Sequence, residues 1–482
     1  MTYVLALEAS TQSAKAAVVS ADGACIVQVE RVYPAGVSDI ATMDAAKVYD
    51  ELIAAGRQAV ADAKAAGVPD IGAAGLCTIW QSLLPVDADG EPLARAQTWA
   101  HTGAGAFATD IRLDPARCRA YYRDTGCIPH SQLSAMQAGH LREENPELFH
   151  SAAQIGSVNS YILRRMTGQA RSPRCTMAGS GWLNVRTHDW DGGALDIAGV
   201  TADRLPPLCD ATDALPLLAK IAAALGVGNI SIAAGGGDGG LNQIGSGALR
   251  EGIMTCSVGT SGALRVAGKE PVLSDPPATW SYYIDKGWFV SGAATSGACN
   301  CVDWARAVML GGRSFAELEK AMADARDNWK DAPVFLPFLW GERAPGWDDA
   351  RTGGYVGLRS AHGTGELYYA ALEGVLMLLR MCYGKLTAQA GEPDVIALSG
   401  GITNSQPWMR MAADVFGRPV EISVNKNASL MGAAALALVS CGAMAGLEDF
   451  SAPTGEVLQP DPAMAEHYAA RYARFVEAYG RG

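Results

Sequence analysis

The chain has 482 residues, of which 49% are hydrophobic and 18% charged, and a formal net charge of -12. That length holds two or three domains with sizeable cores, and the composition excludes the disordered and fibrous classes. No run of Lys and Arg could follow a polyanion backbone, so nucleic acid is not an expected partner.

The 11 cysteines stand singly apart from Cys299 and Cys301. They lack the spacing of a zinc site or a disulfide framework, which fits a reducing compartment. The opening MTYVLALEAS has no basic stretch and passes directly into a strand pattern, so no signal peptide is read. The most apolar segment, Gly432 to Leu447, is shorter than the roughly 18 residues of a membrane span. It reads as a buried helix, and a cytoplasmic location without membrane partners is expected.

Tyr3 to Leu7 reads as a strand, Ser10 to Lys15 as a polar turn and Ala16 to Ser20 as a second strand. The Asp22-Gly23 turn then leads to a third strand, Ile26 to Val32. Ala45 to Ala66 has helical composition and stops at Gly67, a favoured residue past a helix end. A strand-like stretch leads to Trp80-Gln81-Ser82-Leu83-Leu84, an Asp89-Gly90 turn and Trp99. Helical pieces cover Ser134 to Glu144 and Asn159 to Met166.

The stretch from Ala233 to Val266, AAGGGDGGLNQIGSGALREGIMTCSVGTSGALRV, sets Asp238 among five glycines. A strand over Ile253 to Val258 then ends in Gly259-Thr260-Ser261-Gly262. Glycines let backbone N–H groups approach an anion, and small hydroxyls add donors without bulk. A carboxylate there can take a proton from an attacking alcohol, so the pattern suggests phosphoryl transfer. The alternative is that Gly235 to Gly240 is only a flexible connector.

Further strands are expected over Ala263 to Ala267, Trp280 to Ile284 and Trp288 to Ser291. LALEASTQSAKAAVV and MTCSVGTSGALRV share a strand, a Thr/Ser turn and a strand. This suggests a duplicated fold with one phosphate-contacting hairpin per half and a nucleotide across the cleft. After a long helix, Leu367 to Ala390, an apolar strand from Val395 ends in Gly400-Gly401 and enters a helix over Pro407 to Phe416. That junction suits a flat ligand such as adenine, or is a plain strand-to-helix turn.

At this point the chain resembles the FGGY carbohydrate kinases. Gly353-Gly354-Tyr355-Val356-Gly357-Leu358, followed by Leu367 and Ala370-Ala371-Leu372-Glu373-Gly374, is similar to the family's C-terminal signature. Leu339-Trp340-Gly341-Glu342-Arg343-Ala344-Pro345 resembles its GER-[AS]-P element. The resemblance implies an α/β fold of two actin-like, ribonuclease-H-type domains, here 1–246 and 247–482, closing on a sugar and MgATP. It implies Asp238 as catalytic base and Glu8 as the residue holding hydrated Mg²⁺. Ser10, Thr11, Ser13 and Lys15, with Gly259, Thr260 and Ser261, are implied as phosphate contacts. Gly297, Gly400, Gly401, Asn404 and Ser405 are implied as nucleotide contacts. A homodimer is left open.

On the substrate side, Thr78 to Leu84 followed by VDADGEPL looks most like gluconate kinases, placing Trp80 and Gln81 at the sugar. An aromatic wall and an amide suit a polyol, whose C–H faces pack on the ring while its hydroxyls bond the amide. Trp80 also reads as a core aromatic at a domain boundary. Three departures from the family pattern stand out. Glu8 replaces an Asp, Ser10 replaces a Gly, and Trp99-Ala100-His101-Thr102-Gly103 lacks the family's Asp and Arg. His101 is either a substrate contact, as Trp99 is expected to be, or structural.

The expected function is ATP-dependent phosphorylation of a hydroxyl of a small sugar, sugar acid or polyol, gluconate-like or ketopentose-like. The alternatives are a weak or inactive relative that binds nucleotide or sugar as a sensor, and an actin-like ATPase without a polyol pocket.

Overall fold

The computed structural model describes residues 2–424 and 427–481. Its framework is two mixed sheets built to the same plan. In the first half, β1 (Tyr3–Ala9), β2 (Ser13–Ser20) and β3 (Cys25–Val32) form an antiparallel meander. β4 (Ala73–Thr78) pairs parallel with β1, β6 (Ser231–Gly237) parallel with β4, and β5 (Ala214–Pro216) antiparallel with β6. The strand order is β5-β6-β4-β1-β2-β3.

The second half repeats this. β7 (Ile253–Val258), β8 (Gly262–Gly268) and β10 (Trp288–Thr295) form the meander. β11 (Val395–Ser399) and β12 (Val420–Ile422) add in parallel, and β13 (Val457–Leu458) pairs antiparallel at the edge. Every pairing direction of the first six strands recurs. One strand has no counterpart: β9 (Trp280–Asp285), antiparallel to β10 at the sheet edge. Its edge is covered rather than open, since Ser281 N–H donates to the carbonyl of Gly126 at 3.0 Å.

Both sheets are covered on two faces, which is why their central strands read as continuous apolar runs rather than alternating ones. Val4, Leu5, Ala6 and Leu7 are all fully buried. By contrast β3, an edge strand, alternates in exposure along its length. Helix α1 (Ala45–Ala65) lies against the first sheet with Val48, Leu52, Ala55 and Ala59 inward. It is capped by Asp44, whose carboxylate accepts from Lys47 N–H at 3.2 Å.

The halves meet at two helices, α2 (Asp238–Gly245) and α5 (Ala428–Ser440), whose backbones touch. A Cβ at Gly432 would fall 2.1 Å from the Leu241 carbonyl oxygen, and one at Gly245 would fall 1.8 Å from that of Ala428. α5 belongs to the second half by sequence yet packs on β1 and β4 of the first. A small four-stranded sheet joins Thr42–Met43 to three strands of the segment between β4 and β5, which also carries several helices, including Ser134–Glu144 and Val158–Thr167. In the second half, α3 (Thr364–Ala390) and α4 (Gln406–Phe416) flank the sheet.

Two expectations are corrected. Gly235 to Gly237 are the end of β6, not a connector; the register shifts between Ala233 and Gly236, and Gly235 takes φ +94°. The apolar helix expected over Gly432 to Leu447 instead runs from Ala428 to Ser440, because the chain turns at Cys441 and Gly442, the latter at φ +74°. Among the described residues no helix is long and apolar enough to cross a membrane.

Candidate active site

A cavity of about 350 Å³ opens between the halves. The first half brings Glu8, Trp80, Gln81, Trp99, Gln132, Asp238 and Asn242 to it, and the second brings Ser257, Ser261, Arg265, Trp280, Tyr282, Arg343 and Ser429.

Asp238 is the first residue of α2, immediately after β6. Its Oδ1 accepts from Gly239 N–H at 2.8 Å. Burial pushes its carboxyl above the ordinary range, and that N–H and the positive charge of Arg265 partly offset the rise. Asn242 lies one helical turn on and shares the face that meets the cavity.

The glycines around Asp238 accommodate a ring. A Cβ at Gly237 would lie 2.3 Å from Trp80 Cδ1, one at Gly239 2.4 Å from Cζ3, and one at Gly179 2.1 Å from Nε1. The indole is 5% exposed, donates from Nε1 to the Cys175 carbonyl at 2.8 Å, and meets Tyr282 edge-on at 4.8 Å. Trp80 is therefore a core aromatic and a cavity wall at once. Gln81 donates from Nε2 to the Gly179 carbonyl at 3.0 Å, which orients its amide at the cavity. Trp99 is 43% exposed and donates from Nε1 to Thr11 Oγ1 at 3.1 Å.

His101 does not reach the cavity. It packs against Gly103 beside His140, and burial lowers its basicity. The position that lost an Asp in the family pattern thus turns away from the site.

Glu8 sits near the end of β1, directly across from Lys15 on β2. It is 3% exposed; Oε1 accepts from Ser429 Oγ at 3.1 Å, and Oε2 is buried without a hydrogen-bond partner. Burial raises its pKa, Lys15 opposes the rise and Asp238 adds to it. An orphaned carboxylate oxygen that feels the charge of a second carboxylate fits a cation that keeps much of its water, as Mg²⁺ does. Among the described residues no group of three or more His, Cys, Asp or Glu could hold a metal ion by itself.

The two hairpin turns frame this region. In the first, Ser10 Oγ donates to the Ser13 carbonyl at 2.7 Å and accepts from Ser13 N–H at 3.2 Å. Ser13 Oγ donates to Glu30 at 2.9 Å. Ser10, Thr11, Ser13 and Lys15 do not line the cavity. In the second turn Ser261 lines the cavity, Thr260 is exposed, and a Cβ at Gly259 would meet open space.

A second cavity, of about 220 Å³, is lined by Gly401, Asn404, Ser405, Cys299, Tyr368 and Trp408 among others. Gly400 takes φ +94° and backs onto the Val258 carbonyl, so this junction abuts the second hairpin turn. Ser405 Oγ donates to Glu319 at 2.6 Å and caps α4. Gly297 lines neither cavity. It is buried, and a Cβ there would fall 2.1 Å from the Pro337 carbonyl oxygen, so packing requires glycine.

Sequence reasoning missed Gln132, Asn242, Arg265, Trp280, Tyr282, Arg343 and Ser429 as cavity residues. Two carried a signal: Asn242 falls four residues after Asp238 on a helix, and Arg265 alternates with Ser261 and Ala263 on one strand face. The others come together only in three dimensions.

Family models match both halves: the FGGY carbohydrate kinase N-terminal domain over residues 3–245 and the C-terminal domain over 254–441. The chain is 27% identical over 476 residues to a gluconokinase of Bacillus subtilis (strain 168), covering 95% of this chain and 92% of the relative. It is 28% identical over 412 residues to a xylulose kinase of Escherichia coli (strain K12), covering 84% and 83%. In fold it matches a gluconate kinase structure from Lactobacillus acidophilus with TM-score 0.92 and 24% identity, over 100% of this chain and 98% of that one. With both halves matched in order along nearly the whole length, the chain belongs to the FGGY family of carbohydrate kinases.

Proposed function

We propose that this enzyme transfers the γ-phosphoryl group of ATP to a hydroxyl of a small sugar, sugar acid or polyol, gluconate-like or ketopentose-like. The observation that carries the reading is the carboxylate of Asp238, half-buried at the start of α2 in a cavity walled by indoles and amides. Gluconokinase and xylulose kinase relatives support the same substrate range.

In this reading the sugar packs its C–H faces on Trp80 and Trp99 and bonds Gln81 and Gln132. Asp238 accepts the proton of the attacking hydroxyl, its raised basicity matching that task. Glu8 and Ser429 hold hydrated Mg²⁺, which when bound neutralises charge on the phosphates. The two Thr/Ser turns orient the phosphates, and the second cavity takes the adenosine. Residues 1–246 and 247–482 act as the two domains, in the cytoplasm.

The departure at Ser10 is accommodated by the local geometry, which supports an enzyme over an inactive binder. Ser10 is absent from the non-glycine residues at positive φ, so this turn does not need the family's glycine. Its hydroxyl instead closes the turn onto Ser13. The test is ADP release from the purified protein with MgATP against aldonates, pentuloses, hexuloses and polyols. Turnover is expected with at least one, and Asp238→Asn should lower it by about 10²- to 10⁴-fold with ATP binding retained. Unchanged turnover in that variant would overturn the assignment of the base.

A further inference from the structure

Phosphoryl transfer, as read above, uses the two carboxylates of the cavity and leaves its two guanidinium groups unexplained. Arg265 and Arg343 both line the cavity, and Nε of each is buried without a hydrogen-bond partner. The only side-chain hydrogen bond of Arg265 among the described residues runs from Nη1 to Ser257 Oγ at 3.2 Å. Neither arginine has a carboxylate within 4 Å among the described residues, whereas the nearby Asp349 is taken by Arg112 at 3.0 Å and by His130 at 3.5 Å. Both guanidinium groups keep their charge at any working pH, and a charge held out of water needs a counter-ion.

Their position says which anion. Ala263 and Arg265 share one face of β8, Ser261 ends the turn that leads into it, and all three line the cavity. Four residues of strand put the backbone of Arg265 about 13 Å from that of Ser261 in the turn. Asp238 and Arg343 are both close enough to act on the charge of Arg265. A phosphate held at the turn is a strand's length from the Arg265 backbone, whereas a second anionic group on the acceptor molecule shares the cavity with both arginines. The planar fork of a guanidinium matches a carboxylate or a phosphate, and with the phosphates held at the turns the acceptor's own carboxylate is the anion left for it.

We propose that Arg265, with Arg343 near it, receives the carboxylate of the acceptor, making Arg265 a specificity-determining residue that selects an aldonate over a neutral sugar of the same length. This rests on the kinase reading of the same site. The carboxylate lies distal to the hydroxyl that reacts at Asp238.

The experiment pairs each aldonate of five or six carbons with the alditol that carries CH₂OH in place of the carboxylate. It measures kcat/KM with MgATP, and binding of the aldonate without ATP by calorimetry. The intact enzyme should prefer the aldonate by about 100-fold or more, and Arg265→Gln should collapse that ratio toward unity, chiefly through KM. Arg265→Lys, which keeps charge but not the fork, should fall between, and it serves if Arg265→Gln fails to fold.

Turnover that favours a neutral sugar, with Arg265→Gln slowing aldonate and alditol alike, overturns the inference and leaves the kinase reading intact. Aldonate binding that is lost in Arg265→Gln, in a protein that turns over no sugar, supports the inference and overturns the kinase reading. No aldonate binding and no turnover overturn both.

Discussion

The indole of Trp80 fills the space that a side chain at Gly239 would need: a Cβ there would fall 2.4 Å from Cζ3. The residue that follows Asp238 is thus a glycine because of a ring, and the ring fixes where α2 begins. Gly239→Ala should destabilise the protein by about 1–3 kcal/mol through overpacking and should cut turnover. Adding Trp80→Leu should recover part of the stability. A double-mutant cycle with no coupling between the two positions would contradict this account.

The Glu8 carboxyl is buried at a cost, because burial raises its pKa and one oxygen has no partner. Glu8→Gln removes the charge and keeps the shape. Its melting temperature without ligands should equal or exceed that of the parent, while turnover should fall by about 10²-fold. A drop in both would assign Glu8 a structural role instead.

Asp285 joins the halves, accepting from Ala211 N–H at 3.0 Å and Thr212 Oγ1 at 2.8 Å. Burial pushes its carboxyl up to about 6 against an ordinary 3.8. Between those values the folded state binds more protons than the unfolded, so stability falls as pH rises through the window and is level above it. The loss is at most about 3 kcal/mol. Urea titrations from pH 4 to 7 should show it, and Asp285→Asn should flatten that slope.

Arg471 and Glu373 form a buried pair, with Nε 2.9 Å from Oε1, that ties the C-terminal helix Ala465–Arg481 to α3. Arg471 also donates from Nη1 to the Ala332 carbonyl at 2.6 Å. Arg471→Met strands the carboxylate and should cost about 3–5 kcal/mol. The double replacement Glu373→Leu with Arg471→Met should cost less than that single change, by urea midpoint.

What was legible in the sequence is what local pattern determines. The hairpins around Ser10 and Thr260 follow from apolar runs broken by small polar residues, and α3 and α4 from helical periodicity with recognisable ends. Asp238 could be singled out because an acid among glycines is locally odd. The reason for those glycines could not be, since Trp80 meets them only once β4 and β6 pair. Arg265 reads as one charge on a strand until β8 brings it to Asp238 and Arg343, and His101 stands in a motif whose backbone directs it elsewhere. Side-chain direction and distant partners are tertiary facts.

The repeat is unequal where the cavity is walled. The strand-turn-strand units occur in both halves, but Trp80, Gln81, Trp99 and Gln132 come from the segment between β4 and β5, and Trp280 and Tyr282 from β9, which one sheet has and the other lacks. Copied parts constrain each other through their shared geometry, whereas uncopied parts answer only to what they enclose. A lineage built this way can exchange its substrates by drift in the walls while inheriting the frame unchanged.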